Sequence, residues 1–287
     1  TGQGAPVTSI CRAGNGESLF VASDTAVYRF ERNTFSPILP DPVPDAANIN
    51  GLFTDSRNRL WIAHTRGLTR IEWSDGQAET KQFTGKNGLL SSQINCLAED
   101  KDRRLWIGNY GKNVQVMLDD SIFCPNADSA FAGKLILCIY PDSKGFIWMG
   151  TLNHGACRWN PADSALLWLG EEEGIANNHI RAILEDSWGN YWFGTSGGGA
   201  SKYTGQLFTH YDRKNGLPGN FVYSVCGDSA GKIWMGCARN GVCLLDSGKI
   251  RVPEAWSDLK STKVKALYRE PGGRIWAGTK DEGIVVY

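Results

Sequence analysis

Short stretches of alternating apolar and polar residues, each followed by a turn signal, run the length of this chain. Ile180-Arg181-Ala182-Ile183-Leu184-Glu185-Asp186 is one of them. Period-two alternation of this kind predicts a half-buried β-strand. An acidic residue stands at the end of each such stretch: Asp55, Asp100, Asp142, Asp186, Asp228 and Glu270. Three positions later comes Gly145, Gly189, Gly231 or Gly273, with Asn58 taking that place once. An acidic residue followed by one that tolerates positive φ predicts a tight turn between antiparallel strands. Arg103 and Glu17 break the glycine rule, so those two turns are expected to be irregular or looser.

The second strand of each unit carries an aromatic residue, and the spacing of these aromatics shows the organisation. Trp61, Trp106, Trp148, Trp192, Trp234 and Trp276 are separated by 45, 42, 44, 42 and 42 residues, and Phe20 lies 41 before Trp61. Seven copies account for nearly all of the 287 residues. A period of about 40–45 residues with glycine and tryptophan at fixed offsets predicts an all-β fold, a seven-bladed β-propeller of four-stranded antiparallel blades. The blades are expected near 7–43, 48–88, 93–130, 135–173, 179–216, 221–259 and 263–287, as one domain. Glycine after the aromatic, as in Trp192-Phe193-Gly194, lets a neighbouring blade approach the backbone. No stretch has a convincing helical period, so helix should be nearly absent.

The pattern Asn-Gly-Leu-Pro … Val … Asp-Ser-x-Gly-x-Ile-Trp-Met-Gly … Gly across residues 213–243 resembles the two-component regulator propeller repeat. The clearest copies are 94–117, 135–159, 180–203, 222–245 and 264–287, while blades 1 and 2 depart from it at Phe20 and at Ala63-His64. Such repeats build the extracytoplasmic sensor regions of bacterial hybrid two-component systems, often as two consecutive propellers. The resemblance therefore implies a periplasmic or otherwise extracytoplasmic sensor with an oligosaccharide as ligand.

Composition narrows the function classes. Lys plus Arg and Asp plus Glu are both 30, so the formal net charge is zero. With no basic stretch there is little to release phosphate counterions, which argues against nucleic acid as a partner. The apolar runs are far short of the ~20 residues a membrane helix needs, so no membrane insertion is expected. The repeat tryptophans read as packing between blades. Trp168, Trp188 and Trp256 read as surface or rim residues, and Tyr110 as a possible stacking platform. The repeated carboxylates read as turn residues that satisfy backbone N–H groups, not as catalysts.

Eight cysteines leave two readings open, disulfides or buried thiols. Cys96 and Cys138 share one strand position and Cys157 and Cys243 another, which favours buried thiols. Cys237 and Cys243 flank a hairpin and form the one pair placed for a disulfide. No Cys or His spacing matches a zinc site, and neither metal nor cofactor is expected.

In a propeller the loops joining the second and third strands, together with the blade-to-blade connections, surround one mouth of the central channel. Candidate ligand-binding residues collect there: His64, Arg66, Tyr110, Asn153, His154, His179, Asn220 and Arg239, with Asn109, Lys112, Asn178, Asn240, Lys280 and Asp281 beside them. Asn, Arg, His and Lys supply the donors and acceptors that hydroxyls and carboxylates require. Three function classes stay open: a ligand-sensing module, a propeller lyase or hydrolase working at the same mouth, and a scaffold for a protein partner, such as a second propeller or a dimer mate. Streptogramin-type lyases are one small seven-bladed example of the enzyme class, though Trp-x-Gly-Thr here differs from their Trp-Phe-Thr-Glu. The last blade should have three strands, with 283–287 as an open edge suited to strand addition and the chain cut from a longer receptor.

Overall fold

The computed structural model describes residues 6–14, 16, 18–38, 47–74, 77–111, 113–125, 128–228, 230–239, 241–254, 256, 259 and 262–287. The expectations for residues 1–5, Glu17, Lys112 and Asn240 fall outside them.

Strands pair in chain order into seven antiparallel sheets, six with four strands and the last with three. The fold is a seven-bladed β-propeller. The blades run over 7–37, 49–83, 94–123, 136–169, 180–211, 222–251 and 264–286. Among the described residues, helix is confined to Asp128–Phe131 and short 3-10 turns. Two compact units are distinguished, Thr8–Pro141 and one made chiefly of Asp142–Tyr287.

Repeat aromatics pack onto the next blade within each unit. Trp61 lies among Leu105, Ile107 and Met117 of blade 3, and Trp192 among Val222, Ile233 and Met235 of blade 6. All six repeat tryptophans and Phe20 are buried. Glycine after the aromatic is required by this approach: a Cβ on Gly194 would lie 2.9 Å from Val222 Cγ1, and one on Gly236 2.8 Å from Val264 Cγ1.

The turn between the first two strands is a clamp. Asp186 Oδ1 accepts the backbone N–H groups of Trp188 (3.0 Å) and Asn190 (2.9 Å), while Oδ2 accepts Trp192 Nε1–H at 2.9 Å. The same tryptophan bond joins Asp55 to Trp61 and Asp100 to Trp106 at 2.7 Å, Asp142 to Trp148 at 2.9 Å, and Glu270 to Trp276 at 2.7 Å. The carboxylate thus fixes both the turn and the buried indole. Neighbouring blades are tied at this end too. Glu185 accepts from Ser143 N and Oγ, both at 2.8 Å, and Glu99 accepts from Ser56 N and Oγ at 2.7 and 3.1 Å.

Two expectations are corrected. The Arg103 turn is not loose: Arg103 takes φ 61° and its N–H bonds Asp100 O at 3.0 Å, matching Asn58, with φ 63° and a 3.0 Å bond to Asp55 O. Arg104 Nε, 2.7 Å from Asp100 Oδ2, helps hold that carboxylate. Trp256 is not a rim residue but 1% exposed, because the segment after blade 6 folds it against Trp234 and Tyr287, with ring centroids 5.7 and 5.5 Å away. Trp188 is at the surface as expected, 65% exposed.

Candidate functional site

At the other end of each blade, one residue locks the loop between the second and third strands. It stands three positions after the repeat aromatic: Ser23, His64, Asn109, Thr151, Thr195, Cys237 and Thr279. Thr195 Oγ1 donates to Gly199 O at 2.8 Å and accepts from Gly198 N at 3.1 Å. Thr151 and Thr279 repeat the pattern with Gly155 and Gly283. In blade 3 Asn109 Nδ2 donates to Asn113 O.

His64 occupies this locking position in blade 2. Sequence reading set it on the loop surface, but it is 1% exposed. Its Nδ1 accepts Arg66 N–H at 3.2 Å, so the neutral ring carries its proton on Nε2, 3.0 Å from Thr69 Oγ1. Burial pulls its pKa down to about 4. The signal was legible, since His64 stands in register with the threonines of Trp-x-Gly-Thr. Cys237 holds the place in blade 6. Its thiol is hydrogen-bonded to Cys243, and that bond together with burial raises the Cys243 pKa well above its ordinary value. The two do not form the disulfide their spacing allowed.

Outside the locks, the candidate residues of Asp142–Tyr287 form one strip across successive blades. Asn153 and His154 are exposed on the blade 4 loop, and Gly155 N donates to Asn178 O at 2.9 Å. Next to Asn178 comes His179, whose carbonyl accepts Ser196 N at 2.9 Å. The Ser196–Gly199 loop then meets Asn220, whose carbonyl accepts Gly197 N and Gly199 N at 2.9 and 2.8 Å. Asn220 Oδ1 also accepts Arg213 N at 3.0 Å, which anchors the connection into blade 6. Ala238 N bonds Phe221 O at 2.9 Å and brings exposed Arg239 alongside. Five predicted residues, Asn153, His154, His179, Asn220 and Arg239, therefore share this strip. In Thr8–Pro141, Arg66 and Tyr110 are exposed on loops of blades 2 and 3, and no bond links them to each other among the described residues.

Three residues that sequence reading missed lie one step inward. Tyr223, half-buried, is the second residue of its strand. Arg181 of blade 5 places its guanidinium carbon 5.3 Å from the Tyr223 ring centroid, and Lys263 of blade 7 places Nζ 4.7 Å from it. Arg181 Nε is 3.0 Å from Ser196 Oγ. His179 Nε2 is buried with no hydrogen-bond partner, and burial together with the Arg181 charge lowers the pKa of the ring. Register was the available signal for two of them, since Arg181 and Tyr223 are 42 residues apart and each is the second residue of its strand. Among the described residues no group of three or more His, Cys, Asp or Glu is placed to hold a metal ion, and no helix is long and apolar enough to cross a membrane.

Comparison with known proteins agrees with the repeat. Residues 88–111, 131–153, 174–197 and 216–239 match the model of the two component regulator propeller. No curated protein matches the chain in sequence. Among solved structures it is similar to the extracellular domain of a B. thetaiotaomicron protein described as the hybrid two component system BT3049. The TM-score is 0.79 at 18% identity, and the match covers 99% of this chain and 40% of that one. It is also similar to the extracellular domain of a protein described as the one component system BT4673 of the same organism, with TM-score 0.74, 18% identity, and coverage of 99% and 40%. Virginiamycin B lyase of Staphylococcus aureus gives 0.76 at 15% identity, with 99% and 95% covered. The chain thus spans about two fifths of the two-component structures it resembles. At these identities the structural likeness speaks for the fold alone, whereas residues 88–111, 131–153, 174–197 and 216–239 carry the repeat of the two component regulator propeller family.

Proposed function

We propose that the chain is the ligand-recognising part of a two-component receptor working outside the cytoplasm, and that it takes an oligosaccharide along the strip from Asn153 to Arg239. The observation that carries this reading is the division of labour at the loop end. Loop closure is done by buried residues such as Thr151, Thr195 and Thr279. The polar side chains of Asn153, His154 and Arg239 stand outside that lock on a rigid scaffold, where binding residues concentrate. Exposed Phe221, at 49%, adds an apolar surface for a sugar ring.

A thermal-shift screen of oligosaccharides tests the proposal, since a ligand at about 100 times its dissociation constant adds about 2.7 kcal/mol to stability. His154→Ala and Arg239→Ala are expected to reduce the shift while leaving the unliganded melting temperature within a degree or so. A full shift in both variants would remove the strip as the binding surface.

A further inference from the structure

We infer that Cys237 and Cys243 form a redox modification site, a dithiol that a small-molecule disulfide converts reversibly into a bond across the blade 6 hairpin. This goes beyond the ligand reading and stands without it.

The placement follows from register. Met235 pairs with Cys243, and Cys237 N–H bonds Gly241 O at 2.9 Å, so Cys237 and Cys243 are diagonal neighbours on one face of the hairpin. The same two positions touch in blade 2, where they hold His64 and Thr69 with Nε2 and Oγ1 3.0 Å apart. Blade 5 has Thr195 and Ser201 there. Blade 6 puts a thiol at both positions, and the two thiols are hydrogen-bonded. Both residues are fully buried in one apolar cluster with Leu217, Met235 and Trp192. A structural zinc ion needs four ligands, and among the described residues no group of even three His, Cys, Asp or Glu is placed for one. Two thiols in contact without further ligands are suited to exchange with a disulfide, not to a metal.

The exchange balances with the external disulfide as oxidant. A thiolate of the pair attacks one sulfur of that disulfide and expels one thiol. The second cysteine then attacks the mixed disulfide and expels the other. Two S–H bonds are lost and one S–S bond forms, while two electrons and two protons pass to the external disulfide, which leaves as two thiols. The hydrogen bond with Cys237, together with burial, raises the Cys243 pKa well above its ordinary value. The closed hairpin therefore resists attack, and exchange proceeds through local opening. Diagonal neighbours in an antiparallel pair lie about 7–8 Å apart at Cα, whereas a relaxed disulfide spans about 4.4–6.8 Å. Closing the bond draws the strands together at the loop end, and a bond strained in this way is one that thiols reopen. Leu217 of the same cluster belongs to the connection that leads to Asn220, whose carbonyl holds Gly197 N and Gly199 N. The movement thus reaches the neighbouring loop.

The test is peptide mass spectrometry after differential alkylation, on protein equilibrated in glutathione buffers running from fully reduced to mostly oxidised. A parallel sample is refolded from urea in the same buffers, so that burial does not limit access. The expected result is a Cys237–Cys243 link that appears in the oxidised buffers and is lost again in the reduced ones. The melting temperature should differ by about 2–5 °C between the two extremes. Cys237→Thr, which installs the lock residue of blade 5, and Cys243→Ser should each abolish the link and shrink that difference below about 1 °C. Two alkylatable thiols at every glutathione ratio in the refolded sample, or oxidation that joins another pair instead, would overturn the site. A link that survives the fully reduced buffer would overturn its reversibility. A melting difference kept in full by both variants would place the redox response elsewhere in the chain.

Discussion

The two ends of each blade obey different rules, although the same strands connect them. At the turn end, an acidic residue bonds a tryptophan six positions later in blades 2, 3, 4, 5 and 7, at distances between 2.7 and 2.9 Å. At the loop end the locking position is filled by Ser, His, Asn, Thr or Cys. The turn end has one solution because a buried indole N–H and two turn N–H groups must all be satisfied by a single carboxylate. The loop end needs only one side chain able to cap a short loop, and many can. Beyond the lock the fold requires almost nothing of the loop residues, and recognition can be written there.

The contrast can be broken most forcefully at the turn end. Trp192→Ala should cost about 3–5 kcal/mol in urea unfolding, because it leaves a cavity against blade 6. Asp186→Ala should cost about 2–3 kcal/mol by orphaning the indole and the turn N–H groups. A loss below about 1 kcal/mol in both would mean that the turn end does not hold the blades.

Next in size is His64. With its pKa held at about 4 in the folded protein and near 6.5 when unfolded, the unfolded chain takes up the proton first as pH falls. The contribution is complete above about pH 6.5 and is lost progressively down to about pH 4, on the order of 3 kcal/mol in total. Comparison of unfolding at pH 7.5 and 4.5 with His64→Thr isolates it: the variant should lose distinctly less stability. Equal losses would mean that the histidine is solvated.

How much of this was legible follows the same division. The blade count, the buried tryptophans and the three-stranded last blade were readable because Trp and Gly recur wherever blades must touch. The indole bond to the carboxylate was hidden, since i and i+6 are not neighbours until the hairpin folds. His64 was placed on the surface because histidine in a loop suggests chemistry, although its register with Thr151 and Thr195 pointed to a lock. Trp256 was misplaced because its burial depends on Tyr287, far along the chain, which no local pattern reports. Tyr223 with its two cations was missed for the same reason: Arg181, Tyr223 and Lys263 belong to three different blades.

Smaller effects sharpen the comparison. Arg103→Gly should stabilise by about 0.5–1 kcal/mol, because a non-glycine residue at φ 61° is strained in a turn that glycine fills elsewhere. Destabilisation would show that the Arg103 side chain supports the fold. Smallest of all, His154→Ala and Arg239→Ala should change unfolding by less than about 0.5 kcal/mol. A loss above about 1 kcal/mol in either would make it a scaffold residue.

The most direct measurement is hydrogen exchange on the protein with and without a saccharide that shifts its melting. The account predicts new protection at 153–155, 178–181, 196–199, 219–223, 238–239 and 262–265, with the Asp142–Trp148 and Asp186–Trp192 turns unchanged. Protection confined to those turns, with the loop strip exchanging as before, would contradict it.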